Sequence, residues 1–362
     1  MTSTEPASLE LRNLDVIIDG RQVLREVNLN VLPGELFVLL GGAGSGKSTL
    51  LRTFAGLDPV SAGELWIDDE QITRTPAHRR AVALMLQSFP LWPQMSVSKN
   101  VAFALRHQGL ARDEIHNRVK RELASMGLSD FYDHRPWQLK PGQQQRVALA
   151  RTLISGARVK LLDEPFSAQD VQLRERLLRM LKKHQHQSAA TTLLTTQDPR
   201  EALRIADRIA IFHEGELQQV GTPAELYDTP RNRYVAEYMG STNLFDGEIE
   251  YAGDQPLFHA NNGIVIPLFD RPLKRARTGS AMFRPHDLHI VSRNEEPFGD
   301  QIRFTGRVEQ TEFLGDTVRY CIDLAGKIVW MDLARAAGQP SLNIGDQVLV
   351  GLDPARIRIL EG

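Results

Sequence analysis

The sequence predicts an α/β chain: a largely parallel sheet with crossover helices, a helical insertion inside it, and a small all-β domain behind it. Three observations carry this. The apolar run Leu36 to Leu40 enters Gly-x-x-x-x-Gly-Lys-Ser, Gly41 to Ser48, and a helical pattern from Thr49 to Ala55 follows at once. Strand, glycine loop and helix in that order is the setting a phosphate-binding loop requires. Short apolar strands then alternate with helical segments to about Met239, as in a sheet of parallel strands. From Phe245 on, helices nearly vanish and short strand-like runs are separated by Gly, Asp and Asn, the pattern of a small barrel or sandwich.

Composition bounds the rest. A chain of 362 residues is longer than one domain usually needs, so two or three are expected. Hydrophobic residues make up 42%, enough for ordinary cores. A formal charge of -2 argues against nonspecific nucleic-acid binding. Cys321 is the single cysteine, which excludes a disulfide framework or cysteine metal cluster and fits a reducing cytosol. Met1 to Pro6 shows no basic region before an apolar one, and no apolar run approaches the ~18 residues of a membrane helix. Work at a membrane is therefore expected to go through a partner.

Along the chain, Leu9 to Val16 alternates like a half-buried strand, Asp19-Gly20 signals a turn, and Val23 to Val31 reads as a second strand. Pro33-Gly34 turns into the loop strand, and Gly56 to Pro59 ends the first helix. Gly63 to Asp68 and Val82 to Leu86 are further strands, the latter ending at Gln87. Phe89, Leu91 and Trp92 then lie among Pro90 and Pro93. That much apolar surface in a loop reads either as a docking surface or as a loop tucked onto its own core. Helical patterns follow over Ser98–Arg106, Ala111–Met126 and Gly142–Ile154. Val159 to Glu164 is a strand ending in two carboxylates; Gln169–His184 and Pro199–Ala206 are helical; Thr191–Thr195 and Ile209–Phe212 are strands. In the last third, Asp316–Leu324, Ile328–Met331 and Gln347–Val350 alternate as strands.

The glycines let the backbone wrap closely, so that the N–H groups of Gly41, Gly42, Ala43, Gly44, Ser45, Gly46 and the first helical residues, through Thr49, face phosphate oxygens at a positive helix end. Lys47 is expected to reach the β- and γ-phosphates and Ser48 to hold a magnesium ion. Asp163 is the expected second ligand on the metal side, and Glu164 the general base or water-orienting group. Taken alone, Asp-Glu after a strand also suits an exposed loop start; it is the pairing with the Lys47 loop that favours chemistry.

Over almost its whole length the sequence resembles the ATPase subunit of an ATP-binding cassette importer, in the branch that serves maltose, polyamine, ferric-iron and aminophosphonate importers. Motifs fall in the family's order: Gly41 to Ser48, Gln87, Pro141 to Arg151, Leu161 to Ala168, Ala206 to Ile209, Gly221 to Tyr227 and Phe283 to Leu288. The resemblance implies a P-loop NTPase (RecA-like) core over 1–240, a helical subdomain at about 88–155, and an OB-like regulatory domain over 241–362. It implies ATP and Mg2+ as cofactors, with Ser48, Gln87 and Asp163 on the metal. It also implies a second ATPase subunit, identical or dissimilar, a transmembrane permease, an indirect solute-binding protein, and a place at the cytoplasmic face of the cell membrane. Each ATP would lie between one chain's phosphate loop and the other's signature motif. Gln87 would also reach the permease contact, and the aromatic–proline loop would help form a groove for a permease helix.

Four departures touch the nucleotide. The family's Leu-Ser-Gly-Gly-Gln reads Leu139-Lys140-Pro141-Gly142-Gln143, so a hydroxyl becomes a cation and one N–H is lost to proline. Pro141 still suits the first turn of a helix. Lys140 either meets the phosphate as a point charge or is a solvated loop lysine. Gln197 stands where the family has a switch histidine; it donates a hydrogen bond but carries no proton. Loss of such a group costs roughly 3 kcal/mol, or ~100-fold. Ile18 stands near the adenine-stacking aromatic, a change of about 1–3 kcal/mol in binding. Gln169 replaces the leucine of Ser-Ala-Leu-Asp at the expected dimer seam. Binding should survive and turnover suffer. The competing expectations are a hydrolysis-poor regulatory subunit and a soluble cassette ATPase without a permease.

Overall fold

The computed structural model describes residues 5–252, 255–268, 278–292, 301–335 and 341–361. Met1 to Thr4, part of the start read for a targeting signal, lie outside the described residues. The chain divides into two compact units that part between Ala224 and Glu225.

In the first unit, strands β1 (Leu9–Ile18) and β2 (Arg21–Val31) form a hairpin closed by Asp19-Gly20, with Ile18 opposite Arg21. Both turn residues have positive φ, 50° and 76°, the requirement of a two-residue turn that matches strand twist. β3 (Leu36–Gly41) leads into helix α1 (Lys47–Phe54). β4 (Ala62–Ile67) and the short β5 (Glu70–Gln71) complete a four-stranded antiparallel sheet, β2-β1-β4-β5. These strands do not enter the parallel sheet that alternation suggests, because a two-residue hairpin fixes β1 and β2 antiparallel.

β6 (Val82–Met85), β7 (Val159–Asp163), β8 (Thr191–Thr196), β9 (Arg208–His213) and β10 (Glu216–Gly221) join β3 in a second sheet, ordered β10-β9-β3-β8-β7-β6. β6, β7, β8, β3 and β9 pair in parallel, and β10 adds an antiparallel edge. β3, β7 and β8 are buried throughout, as expected of strands covered on both faces. The loop, the Asp163-Glu164 tip and Gln197 all leave the carboxyl ends of β3, β7 and β8, where open parallel sheets carry their sites.

Between β6 and β7 lie α2 (Val97–Ala102), α3 (Arg112–Ser125) and α4 (Pro141–Leu153). This is the expected helical insertion, with Pro141 opening α4. α5 (Val171–Ser188), α6 (Pro199–Ile205), α7 (Pro223–Asp228) and α8 (Arg233–Met239) follow.

The second unit holds two five-stranded antiparallel sheets. β11 (Asn243–Ala252), β12 (Gln255–Ala260), β13 (Val265–Pro267) and β14 (Thr278–Phe283) form one, with a late edge strand; β15 (Leu288–Ile290), β16 (Ile302–Phe313), β17 (Thr317–Leu324), β18 (Lys327–Ala334) and β19 (Gln347–Leu352) form the other. β20 (Arg358–Glu361) is that late strand, against β14. Phe258, Phe283, Ile322 and Val350 share one core between the sheets. Arg284, 3% exposed, ties α7 and α8 to this unit by donating to the carbonyls of Tyr227, Ala236, Gly240 and Ser241.

Three ionisable groups are withdrawn from water at the far end of the main sheet: Glu122 on α3, Lys160 on β7 and His184 on α5. Burial pushes His184 down to about 4, aided by the Lys160 ammonium. The unfolded chain therefore takes up this proton first, so the contribution is whole above about pH 6.5 and is lost as pH falls towards 4. It amounts to at most about 3 kcal/mol. Urea unfolding at pH 7.5, 5.5 and 4 should show the parent chain losing more stability over that window than His184→Leu, by about 1–3 kcal/mol.

Candidate functional site

The loop between β3 and α1 is shaped by glycines used for different reasons. A Cβ on Gly41 would come within 2.4 Å of the Phe212 carbonyl, so backbone packing excludes one there. Gly44 and Gly46 have φ of 77° and 95°, the left-handed region that side chains resist. Around Gly42 there is open space, and Ala43 and Gly44 form the exposed tip. The Ser45 amide donates to the Gly42 carbonyl at 3.3 Å. The Lys47 ammonium is 4% exposed and donates to the carbonyls of Gly41 (2.8 Å) and Gly42 (2.7 Å) and to Ser45 Oγ (3.1 Å). Burial lowers its pKa, opposed by the Glu164 and Asp163 carboxylates. An anion at the loop would meet this charge at the first turn of α1, which Thr49 continues half-buried.

The structure brings Ser48 and Asp163 together. Ser48 Oγ donates to Asp163 Oδ1 at 2.8 Å, and Asp163 is 3% exposed. A hydroxyl beside one carboxylate is a hard-oxygen pair of the kind that holds magnesium together with phosphate oxygens and water. Among the described residues there is no cluster of three or more His, Cys, Asp or Glu suited to a metal, so an ion here would draw its other ligands from elsewhere.

Thr195, which sequence reasoning passed over, organises both carboxylates. Its Oγ1 donates to Asp163 Oδ1 at 2.7 Å and accepts from the Glu164 amide at 3.0 Å. The parallel register pairs Asp163 with Thr195 directly. β8 carries four threonines, so nothing in its sequence singles out Thr195. Glu164 adopts φ 45°, a strained backbone for a residue with a side chain. Its carboxylate lies between two amides: Gln197 Nε2 donates to Oε1 at 2.6 Å and Gln87 Nε2 to Oε2 at 2.9 Å.

Lys140, Gly142 and Gln143 start α4, with no hydrogen bond or ion pair to the 41–49 loop among the described residues. Lys140 is exposed, and its amide donates to Gln143 Oε1 at 2.8 Å, so the Gln143 side chain caps the helix. Gln169, expected at a seam between subunits, is buried within this chain: its amide donates to the Gly142 carbonyl (2.9 Å) and to Gln145 Oε1 (2.7 Å). Gln145, also unforeseen, donates to the Glu164 carbonyl at 3.1 Å. The start of α4 and the Glu164 tip are thus stitched together. Ile18 closes β1 and packs partly against the core, while Ile17 beside it is 47% exposed. Of the two readings of the aromatic loop, the one tucked onto its own domain holds for Trp92, whose ring lies 4.2 Å from that of Phe103 and under the Arg151 guanidinium.

Comparison with known proteins supplies the context. The ABC transporter family profile matches residues 24–167, and the TOBE domain profile matches 281–360. The spermidine/putrescine import ATP-binding protein PotA of Hahella chejuensis is 36% identical over 323 residues, covering 89% of this chain and 88% of that protein. The putrescine transport ATP-binding protein PotG of Escherichia coli is 36% identical, over 91% of this chain and 88% of its own length. Among solved structures, the dimeric ATP-binding cassette MJ0796 bound to ADP and Pi shares 29% identity and a TM-score of 0.55, over 59% of this chain and 98% of that one.

Lys47→Ala should weaken Mg-ATP binding at least ~100-fold in calorimetry, since it removes the buried cation; unchanged affinity would remove the loop from the site. Thr195→Val leaves the Glu164 amide unpaired and frees Asp163. It should slow ATP turnover roughly 10- to 100-fold while nucleotide affinity changes far less, a split read by comparing kcat with Kd.

Proposed function

This chain belongs to the ABC transporter family of ATPases and carries its TOBE domain, and we propose how its residues divide the labour of an importer's ATP-hydrolysing subunit. The observation that carries the reading is the Ser48–Asp163 hydrogen bond with the amide-held Glu164 carboxylate one residue further on. Residues 41–49 bind the triphosphate through main-chain amides and Lys47. Ser48, Asp163 and Gln87 would hold Mg2+, which when bound offsets charge on the β- and γ-phosphate oxygens. Glu164 receives the proton of the attacking water, and Gln197 orients the carboxylate as a donor. Ile18 is assigned to the adenine ring, where the family has a stacking aromatic. The 1–240 segment is taken as the ATPase domain and 241–362 as the regulatory one.

Lys140, Gly142 and Gln143 are assigned to the nucleotide of a second ATPase subunit. That they make no polar contact with this chain's own loop supports the assignment, as does the dimeric cassette among the similar structures. In such a pair the missing Pro141 N–H and the missing imidazole slow hydrolysis more than they weaken binding.

No helix among the described residues is long and apolar enough to cross a membrane. Transport therefore requires a permease, with this subunit at its cytoplasmic face and a solute-binding protein engaged only through the permease. An open cleft of about 700 Å³ in the helical insertion, lined by Ser98, Lys99, Arg106, Arg112, His116 and Tyr132 among others, is the surface assigned to a permease helix. No nucleic-acid partner is assigned. Polyamines, the cargo named for the relatives, are the first to assay in uptake.

Purification from the native membrane should bring down a permease; recovery of this chain alone would favour a cassette ATPase that works without one. In the purified complex, Gln197→His should raise phosphate release roughly tenfold or more. An unchanged rate would shift the limitation to Lys140-Pro141.

A further inference from the structure

A second cavity, of about 340 Å³, lies away from the phosphate loop and plays no part in the mechanism above. Its lining includes Glu122, Arg158, Lys160, His184 and Ser188. Glu122 comes from α3 of the helical insertion, Lys160 from β7 and His184 from α5. Lys160 is three residues before Asp163 on the same strand, about 10 Å along it.

The polar groups here do not satisfy one another. Lys160 is 2% exposed, yet among the described residues its ammonium has one hydrogen bond, a long 3.3 Å contact to Ser188 Oγ. Glu122 Oε1 and His184 Nδ1 are both buried without a hydrogen-bond partner among the described residues. Glu122 and Lys160 feel each other's charge but are not among the ion pairs within 4.0 Å. Arg158 at the rim is held by Asp68 at 2.7 Å and by the Glu5 carbonyl. Burial pushes Glu122 up to about 7 and Lys160 down to about 8, so both feel the lack of water.

Buried donors and acceptors left this way are costly, and nearly all in folded proteins find partners. A cation, a carboxyl and a neutral imidazole held apart around one space are complementary to a molecule with its own carboxylate and its own donor. The volume sits at the small end of ligand pockets.

We propose that this cavity binds a free α-amino acid or a zwitterion of that size, its carboxylate on Lys160 and its ammonium on Glu122 and His184. The occupant would touch the helical insertion and the parallel-sheet core at once, and so fasten the junction between them. The assignment is independent of the nucleotide site, and Mg-ATP enters its test only as a control.

The twenty α-amino acids are titrated singly into the full chain by calorimetry, with acetate and ethanolamine as half-molecules. At least one amino acid should bind saturably, and neither acetate nor ethanolamine should match it. Lys160→Met and Glu122→Gln should each weaken that binding about tenfold or more, with Mg-ATP affinity unchanged within about twofold. Lys160→Met exchanges a buried charge for an apolar chain of similar length, so it keeps a foldable variant in the test. Absence of binding by all twenty, equal binding of acetate, or undiminished binding by both variants would overturn the proposal and leave the cavity to water.

Discussion

The site depends on one carboxylate oxygen. Asp163 Oδ1 accepts from Ser48 Oγ and from Thr195 Oγ1, and so draws together the phosphate loop, the tip of β7 and the end of β8. A buried carboxylate is tolerable only where charge-assisted hydrogen bonds replace its water. These two bonds do that, and they hold Ser48 and Asp163 in mutual reach before any ligand arrives. Thr195 then spends its remaining acceptor on the Glu164 amide. The strained φ of Glu164 is held partly by this bond, and the strain sets its side chain apart from that of Asp163.

A second set of contacts links the start of α4 to the Glu164 tip. Gln145 is fully buried in α4, and its side chain reaches the Glu164 carbonyl, Ser167 Oγ and the Ala168 amide. Gln169 links that amide group to Gly142. The first turn of α4 is thus tied by short polar links to the backbone of Glu164. Two glutamines, Gln169 and Gln145, connect the Gly142 carbonyl to the Glu164 carbonyl.

Much of this was legible from residue patterns. The glycine loop, the strand–carboxylate tip, the helical insertion and the late hairpin at 317–334 all follow local rules of spacing and turn chemistry. What was not legible depends on packing between distant segments. The separate antiparallel sheet follows from the pairing of β1 with β4, which no local pattern states. Thr195 matters because of its register opposite Asp163. Gln169 turns inward because Gly142 and Gln145 lie beneath it. Lys160 sits in a strand that reads as apolar, and only the surrounding α3 and α5 residues show what its charge faces.

The departures from the family pattern share a physical character. Pro141 replaces an N–H that the helix itself never uses, and the Lys140 amide finds Gln143 Oε1 instead, so α4 forms as well as before. Gln197 keeps a donor on Glu164 and loses only the ability to carry charge. Neither change costs the fold anything that its neighbours do not restore. Both fall on groups that would act in the transition state, where a single donor is worth roughly 3 kcal/mol. Lys47, Ser48 and Asp163, to which ground-state binding is assigned above, are present. On the proposed assignment, a chain altered in this way would hold nucleotide and hydrolyse it slowly, because the two functions would rest on different atoms of one site.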